Sequence, residues 1–285
     1  MPELPEVEAL AQDLGRRLEG RAIGTVHLAQ FAALKTFDPP LAALSGAFVD
    51  GVTRHGKFLD FSVGGLHLVT YLARAGWVQW RDVVPPTPPK PSSKSLIAAR
   101  VVLDNEEGFD LTEAGTKKSL ALYVVRSPLD VPRIATLGPD PLSASFTVDV
   151  LATILADAGR KQIKGVLRDQ ALIAGIGNAY SDEILWEAKL SPYKPADTVD
   201  AAELFAAIQS MLTDAVKRSE GLKASELKRE KKSNLRVHAQ TGKPCPRCGD
   251  TILSISFADS SLEYCPTCQT GGKPLADRRM SRLLK

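Results

Sequence analysis

Residues 242–268 read GKPCPRCGDTILSISFADSSLEYCPTC. Two Cys-x-x-Cys knuckles, Cys245/Cys248 and Cys265/Cys268, stand sixteen residues apart. Four thiolates delivered as two pairs suit the tetrahedral coordination of one Zn2+, and four protein ligands leave no position for water. The expected ion is therefore structural, not catalytic. Disulfides or a redox dithiol are the competing use of such pairs. Ile252, Leu253, Ile255 and Phe257 place apolar residues along the spacer in near alternation, so the segment reads as a two-stranded zinc ribbon. The chain has no other cysteine, which fits a reducing compartment.

Charge gathers around this ribbon. From Lys217 to Lys285 there are 15 Lys and Arg against 7 Asp and Glu, whereas residues 1–216 carry 21 against 26. Such asymmetry suits a nucleic-acid contact in the C-terminal third, or a solvated basic surface. Residues 221–240 and the tail from Lys273 are its basic parts.

Upstream, the texture is helical over 147–158 and 202–216, after a Pro/Gly-bearing connector at 135–146 (ATLGPDPLSASF). Between them lies QIKGVLRDQALIAGIGNAYSDEILWEAK, residues 162–189. Gly175 and Gly177 make a tight turn, and Asn178 then opens a helix. Its side chain and the N–H groups of the first turn can hold a DNA phosphate. The plainer reading is an Asn cap on a packing helix.

The N-terminal half has a different texture. Leu4, Val7, Leu10 and Leu14 recur about once per turn and predict a helix over 1–15. From 22 to 130 come short alternating runs: AIGTVHL, GAFVDGV, KFLDFSV, LHLVTYL, WVQW, ARVVLD and LALYVV. Turn residues such as Asp50-Gly51 and Gly64-Gly65 separate several of them, the pattern of a β-sandwich or barrel. The Pro-rich stretch 83–94 reads as a surface loop between strands. The expected architecture is a multidomain α+β chain: a sandwich with an N-terminal helix over 1–134, a helical domain over 135–234, a zinc ribbon over 235–270 and a basic tail over 271–285.

Two N-terminal features carry chemistry. Removal of Met1 would expose the secondary amine of Pro2, which can attack a sugar carbon and form an iminium. Glu3 and Glu6 lie a turn apart and can share a face with that amine, one moving protons and one orienting it. Proline followed by acids is also ordinary helix-start chemistry. In Arg54-His55-Gly56-Lys57, a glycine turn presents Lys57 at a strand tip, where it can bind a phosphate, donate a proton, or simply be a surface lysine. The N-terminus lacks a signal-peptide pattern, and no apolar run reaches membrane-spanning length. The expected location is cytoplasmic, in or near the nucleoid, with no membrane partner.

In order and spacing, these motifs resemble the formamidopyrimidine-DNA glycosylase/endonuclease VIII family over nearly the whole chain. Pro2-Glu3-Leu4-Pro5-Glu6-Val7-Glu8 looks like the formamidopyrimidine branch, and Gly56-Lys57-Phe58-Leu59 matches the strand lysine. Residues 172–186, with Ile163-Lys164 upstream, match the helix–two-turn–helix. The resemblance implies a base-excision enzyme acting on damaged DNA in a cleft, as a monomer. Pro2 would be the nucleophile, Glu3 the general acid, Glu6 a supporting group and Lys57 a phosphate contact and elimination acid. Gly177, Asn178 and Lys164 would hold the phosphate beside an everted nucleotide. Strand cleavage would follow by β-elimination, with δ-elimination left open.

The departures concern duplex probing. Arg74 stands where the family has a methionine, and Leu111–Lys118 (LTEAGTKK) lacks the usual arginine and aromatic wedge. Ser260 takes the place of the zinc-finger arginine, and a short basic stretch at 221–234 replaces the base-covering loop. Weaker selection for 8-oxoguanine opposite cytosine is expected, with a preference for abasic sites, single-stranded or bubble DNA, or oxidised pyrimidines. The rival expectation is a damage-sensing paralogue that binds without cutting.

Overall fold

The fold is taken from a computed structural model, which describes residues 1–257 and 261–276. The chain divides into two compact units, Met1–Leu137 with Val216–Glu230, and Gly138–Ala215 with the segment from Lys231 onward.

The first unit opens with helix α1 (Leu4–Leu18). Leu4, Val7, Leu10 and Leu14 are buried along one face, as their spacing requires. Eight strands follow: β1 (Ile23–Leu28), β2 (Val49–His55), β3 (Phe58–Val63), β4 (Leu66–Tyr71), β5 (Gly76–Arg81), β6 (Ile97–Leu103), β7 (Gly108–Glu113) and β8 (Ala121–Val125). They form two antiparallel sheets, ordered β1-β6-β7-β5 and β2-β3-β4-β8. The core lies between them. Phe61 of one sheet stacks on Phe109 of the other with ring centroids 5.4 Å apart. The expected sandwich is thus present, and α1 packs on β2 and β3.

Strand β7 has no counterpart among the alternating runs of the sequence. Its Phe109, Asp110, Leu111 and Glu113 are all buried, so polarity does not alternate with side. Asp110 is offset by Arg100, whose Nε and Nη2 donate to it at 2.6 and 3.1 Å, and by Arg81 at 3.0 Å. A buried charge in a paired network looks, in sequence, like a loop residue.

After the short turn α2 (Pro132–Ala135), the second unit holds α3 (Val148–Ala158), α4 (Ile163–Arg168) and α5 (Asn178–Glu187). Thr147 caps α3, its Oγ1 accepting from the Val150 N–H. Helix α6 (Ala201–Ser219) buries Leu204, Ala207, Ile208, Met211, Leu212 and Ala215 in one stripe.

Residues 224–234, read from sequence only as a basic stretch, form helix α7 (Ala224–Asn234). Ala224 and Leu227 are buried in the sandwich core, the Trp77 indole N–H donates to the Ala224 carbonyl at 2.9 Å, and the Lys228 ammonium sits 4.5 Å from the centre of the Trp77 ring. Two apolar contacts and one aromatic face thus fix a helix that composition alone leaves open. Strands β9 (Leu253–Ser256) and β10 (Ser261–Tyr264) pair antiparallel as the ribbon, followed by α8 (Pro266–Thr270). Among the described residues, no helix is long and apolar enough to cross a membrane.

Candidate active site

The N-terminal candidates gather at the start of α1. Pro2 is buried, and Glu3 and Glu6 are 2% and 1% exposed. The Glu3 N–H donates to Glu6 Oε2 at 2.8 Å, and the Glu3 carboxylate accepts from the Glu6 N–H in return. This reciprocal capping box satisfies helix-start donors and fixes both carboxylates beside Pro2. The ordinary helix-start reading and the chemical one therefore use the same atoms.

Lys57 stands in a hairpin of the same unit. The register His55↔Phe58 leaves Gly56-Lys57 as a two-residue turn. Only Gly56 has positive φ, +55°, the glycine-first arrangement that suits a tight antiparallel hairpin. Arg54 ties the turn to α1: its Nε donates to Glu8 Oε2 at 2.8 Å and its Nη1 to the Gly56 carbonyl at 3.1 Å. Lys57 is only 7% exposed, unlike a surface hairpin lysine. Arg54 and Glu8 were given no role from sequence; both lie inside the quoted motifs, but only the fold pairs them across 46 residues.

The second unit carries the phosphate candidates. Gly175 has φ +88°, and Gly177 is the residue before the first turn of α5, which Asn178 opens. The first N–H groups of a helix have no acceptor within it and carry the positive end of its dipole. The Asn178 Nδ2 donates to the Ser261 carbonyl at 2.7 Å. Lys164 is 6% exposed, and its ammonium donates to Asp182 Oδ1 (2.5 Å), Ser181 Oγ (2.8 Å) and the Asn178 carbonyl (3.2 Å). It thus lies behind the start of α5.

The four cysteine sulfurs lie within 4.8 Å of one another, with Cys245–Cys268 at 3.9 Å and Cys248–Cys265 at 3.4 Å. Those separations are far beyond a disulfide bond. Thiolates about 2.3 Å from a tetrahedral zinc would stand about 3.8 Å apart. Burial pushes the Cys265 and Cys268 thiols up. Burial acts the same way on Cys245, but the Trp186 indole N–H and backbone N–H groups outweigh it and hold Cys245 at about 6. A divalent cation resolves this conflict by stabilising all four thiolates, so the donor set fits a structural zinc site. Around it, the Arg247 guanidinium lies 3.9 Å from the centre of the Trp186 ring and donates to the Trp186 carbonyl at 2.7 Å. Asp250 accepts from Thr267 Oγ1 at 2.8 Å, joining one knuckle to the other.

Among the sites of departure, Arg74 is exposed in the β4–β5 connection. The loop after β7 closes on itself: Glu113 Oε1 accepts from the Ser119 and Leu120 N–H groups, and the Lys118 ammonium donates to the Glu113 carbonyl. Ser260 and the tail beyond Ala276 lie outside the described residues.

The formamidopyrimidine-DNA glycosylase N-terminal domain matches residues 1–120, the H2TH domain of that enzyme matches 137–226, and the zinc finger found in FPG and IleRS matches 242–271. A formamidopyrimidine-DNA glycosylase of Symbiobacterium thermophilum is 36% identical across 98% of this chain and 93% of its own length. An uncharacterised formamidopyrimidine-DNA glycosylase-like protein of Mycobacterium tuberculosis is 58% identical, over 54% of this chain and 98% of its own. The Lactococcus lactis enzyme, solved non-covalently bound to DNA containing an AP site, superposes with a TM-score of 0.80 at 26% identity, covering 94% of this chain and 99% of that one. The MutM (Fpg) protein of Thermus thermophilus gives 0.79 at 30% identity, over 96% and 100%. With three domain matches in family order and full-length identity to a curated relative, this chain belongs to the formamidopyrimidine-DNA glycosylase family.

Proposed function

We propose that the chain excises a damaged base from DNA and cuts the strand at the resulting site, using the Pro2 amine as nucleophile. The observation that carries this is the pair of carboxylates, Glu3 and Glu6, buried against Pro2 at the start of α1. Removal of Met1 frees the amine. Its lone pair attacks C1′, and the bond from C1′ to the base breaks with its electrons leaving on the base. Glu3 protonates the deoxyribose ring oxygen as the sugar opens to an iminium. Loss of the C2′ proton then expels the 3′ phosphate, with Lys57 supplying a proton or a phosphate contact. Water releases the protein.

Gly177 and Asn178 hold the phosphate beside the everted nucleotide through the start of α5. Lys164, paired with Asp182, supports that turn from behind through the Asn178 carbonyl. Segments 1–134, 135–234, 235–270 and 271–285 act as catalytic, DNA-binding, zinc and tail domains of a monomeric, cytoplasmic enzyme. Exposed Arg74 and the self-closed loop after β7 support weakened selection for 8-oxoguanine opposite cytosine, and a preference for abasic, single-stranded or bubble DNA, or oxidised pyrimidines. Strong discrimination for that one pair over all others would defeat this part.

Borohydride trapping on an oligonucleotide with one abasic site tests the chemistry. Wild type should give a covalent complex that Pro2→Gly and Glu3→Gln lose or form only weakly, and the product ends read whether δ-elimination follows. Tight DNA binding by a protein with a free proline, without any trapped complex, would favour the damage-sensing reading instead.

A further inference from the structure

His238 received no role from its sequence context, yet it sits in a closed network around the start of α5. Its Nδ1 lies 2.8 Å from Asp182 Oδ2 on α5 and 2.8 Å from Glu263 Oε2 on β10. Asp182 also binds Lys164, which binds the Asn178 carbonyl. Asn178 in turn donates to the Ser261 carbonyl on β10. Ser261 and Glu263 are two residues apart on one strand, so the ring returns to its origin through a single piece of backbone.

The backbone that delivers the imidazole is pinned by the neighbouring acid. Glu183 is buried and accepts the N–H groups of Arg236, Val237 and His238, each at 2.9 Å. Adjacent acids of α5 thus divide the work: Glu183 holds the 236–238 backbone, and Asp182 takes the side chain.

Charge determines the protonation state this network needs. Asp182 and Glu263 are both buried. Nδ1 of His238 stands 2.8 Å from both Asp182 Oδ2 and Glu263 Oε2, and it carries at most one proton for the two carboxylates. Glu263 is therefore held by the positive charge of the ring, and a neutral imidazole would leave two buried carboxylates with only the Lys164 charge between them. Asp182, His238 and Glu263 are also spaced as three ligands for a cation. The Lys164 ammonium already stands on Asp182, however, and two cations against two anions close the charge without a metal ion.

We propose that His238, as an imidazolium, is a positioning residue for DNA binding: it clamps the zinc hairpin through Glu263 to the helix whose first turn, opened by Asn178, holds a DNA phosphate. This rests on the phosphate-holding reading of Asn178 given above. Without the clamp, β10 shifts and takes with it the Ser261 carbonyl that fixes the Asn178 side chain.

The test uses the full zinc-loaded chain and a duplex with one tetrahydrofuran abasic analogue, read by fluorescence anisotropy together with zinc stoichiometry. His238→Gln should weaken the Kd about tenfold at one zinc per chain, and Glu263→Gln added to it should restore most of that loss, because the uncompensated carboxylate is gone. An unchanged Kd in His238→Gln, or a loss that Glu263→Gln does not relieve, overturns the proposal. Should His238→Gln not fold, Glu263→Gln alone decides: its Kd should stay flat between pH 7 and 9.5 while that of wild type weakens, and parallel profiles overturn the proposal. Asn178→Ala separates the two readings. If it binds like wild type, the phosphate reading fails; if it weakens binding while the His238 arms fail, only the clamp is lost.

Discussion

At the start of α1, Pro2, Glu3 and Glu6 reach their places through a single helical turn, and a two-residue hairpin brings Lys57 to the same unit. At the start of α5, the groups around Asn178 come from four separate stretches: Lys164, Ser181 with Asp182, His238, and Ser261 with Glu263. The first site is built by local geometry and needs little help from distant side chains beyond the Arg54–Glu8 pair. The second is built from paired buried charges, each of which is costly without its partner. The proposed chemistry thus falls on a local helical turn, while the proposed phosphate contact falls on a helix start whose neighbours are paired over long range and reach the zinc ribbon through β10.

If that contrast is sound, zinc should matter very unequally. Removing it with a chelator, or by Cys268→Ser, should abolish DNA binding, since structural zinc sites contribute on the order of 10 kcal/mol to the modules they hold. The sandwich contains no zinc ligand, so its β-sheet circular dichroism should survive. Retained DNA binding in the zinc-free protein would break the comparison.

Glu3→Gln probes the other side. Single-turnover excision should fall by about 10²–10⁴-fold, the usual worth of a positioned acid or base. The Kd for abasic-analogue DNA should move little, and a parallel loss of binding would show that the two regions are not separable in this way.

Stability should respond to pH through the second region. Burial alone would lower the His238 pKa, but its hydrogen bond to Asp182 and its contact with Glu263 outweigh burial and lift it to about 9 from 6.5. A pKa raised on folding stabilises the folded chain fully below about pH 6.5, and that contribution fades as pH climbs through about 9. The span is worth about 3 kcal/mol. Urea denaturation from pH 6 to 9.5 should show the decline in wild type and not in His238→Gln; identical profiles would remove the ion pair from the account.

The smallest effect belongs to α7. Lys228→Ala removes the ammonium from the Trp77 face and should cost about 0.5–1 kcal/mol. A loss of unfolding free energy of that size in urea, without change in zinc content, would place α7 with the sandwich; no change would mean that Ala224 and Leu227 hold it unaided.

Much of this was legible in the residues. The α1 stripe, seven of the eight sandwich strands, the zinc knuckles and the Asn178 helix start all follow periodicity or fixed spacing, which are properties of neighbouring positions. Strand β7 escaped because Asp110 is buried against Arg100, reversing the usual meaning of a charge. Helix α7 escaped because Leu227 is its one large buried apolar residue, so no stripe announces it. Arg54 with Glu8, and His238 with Asp182 and Glu263, could not be read at all. Sequence by itself determined which local elements form and where thiolates, carboxylates and the proline amine stand along the chain. Only the tertiary structure decided which charges meet, because a buried ion pair depends on the distance between atoms brought together by folding, and no local pattern encodes that distance.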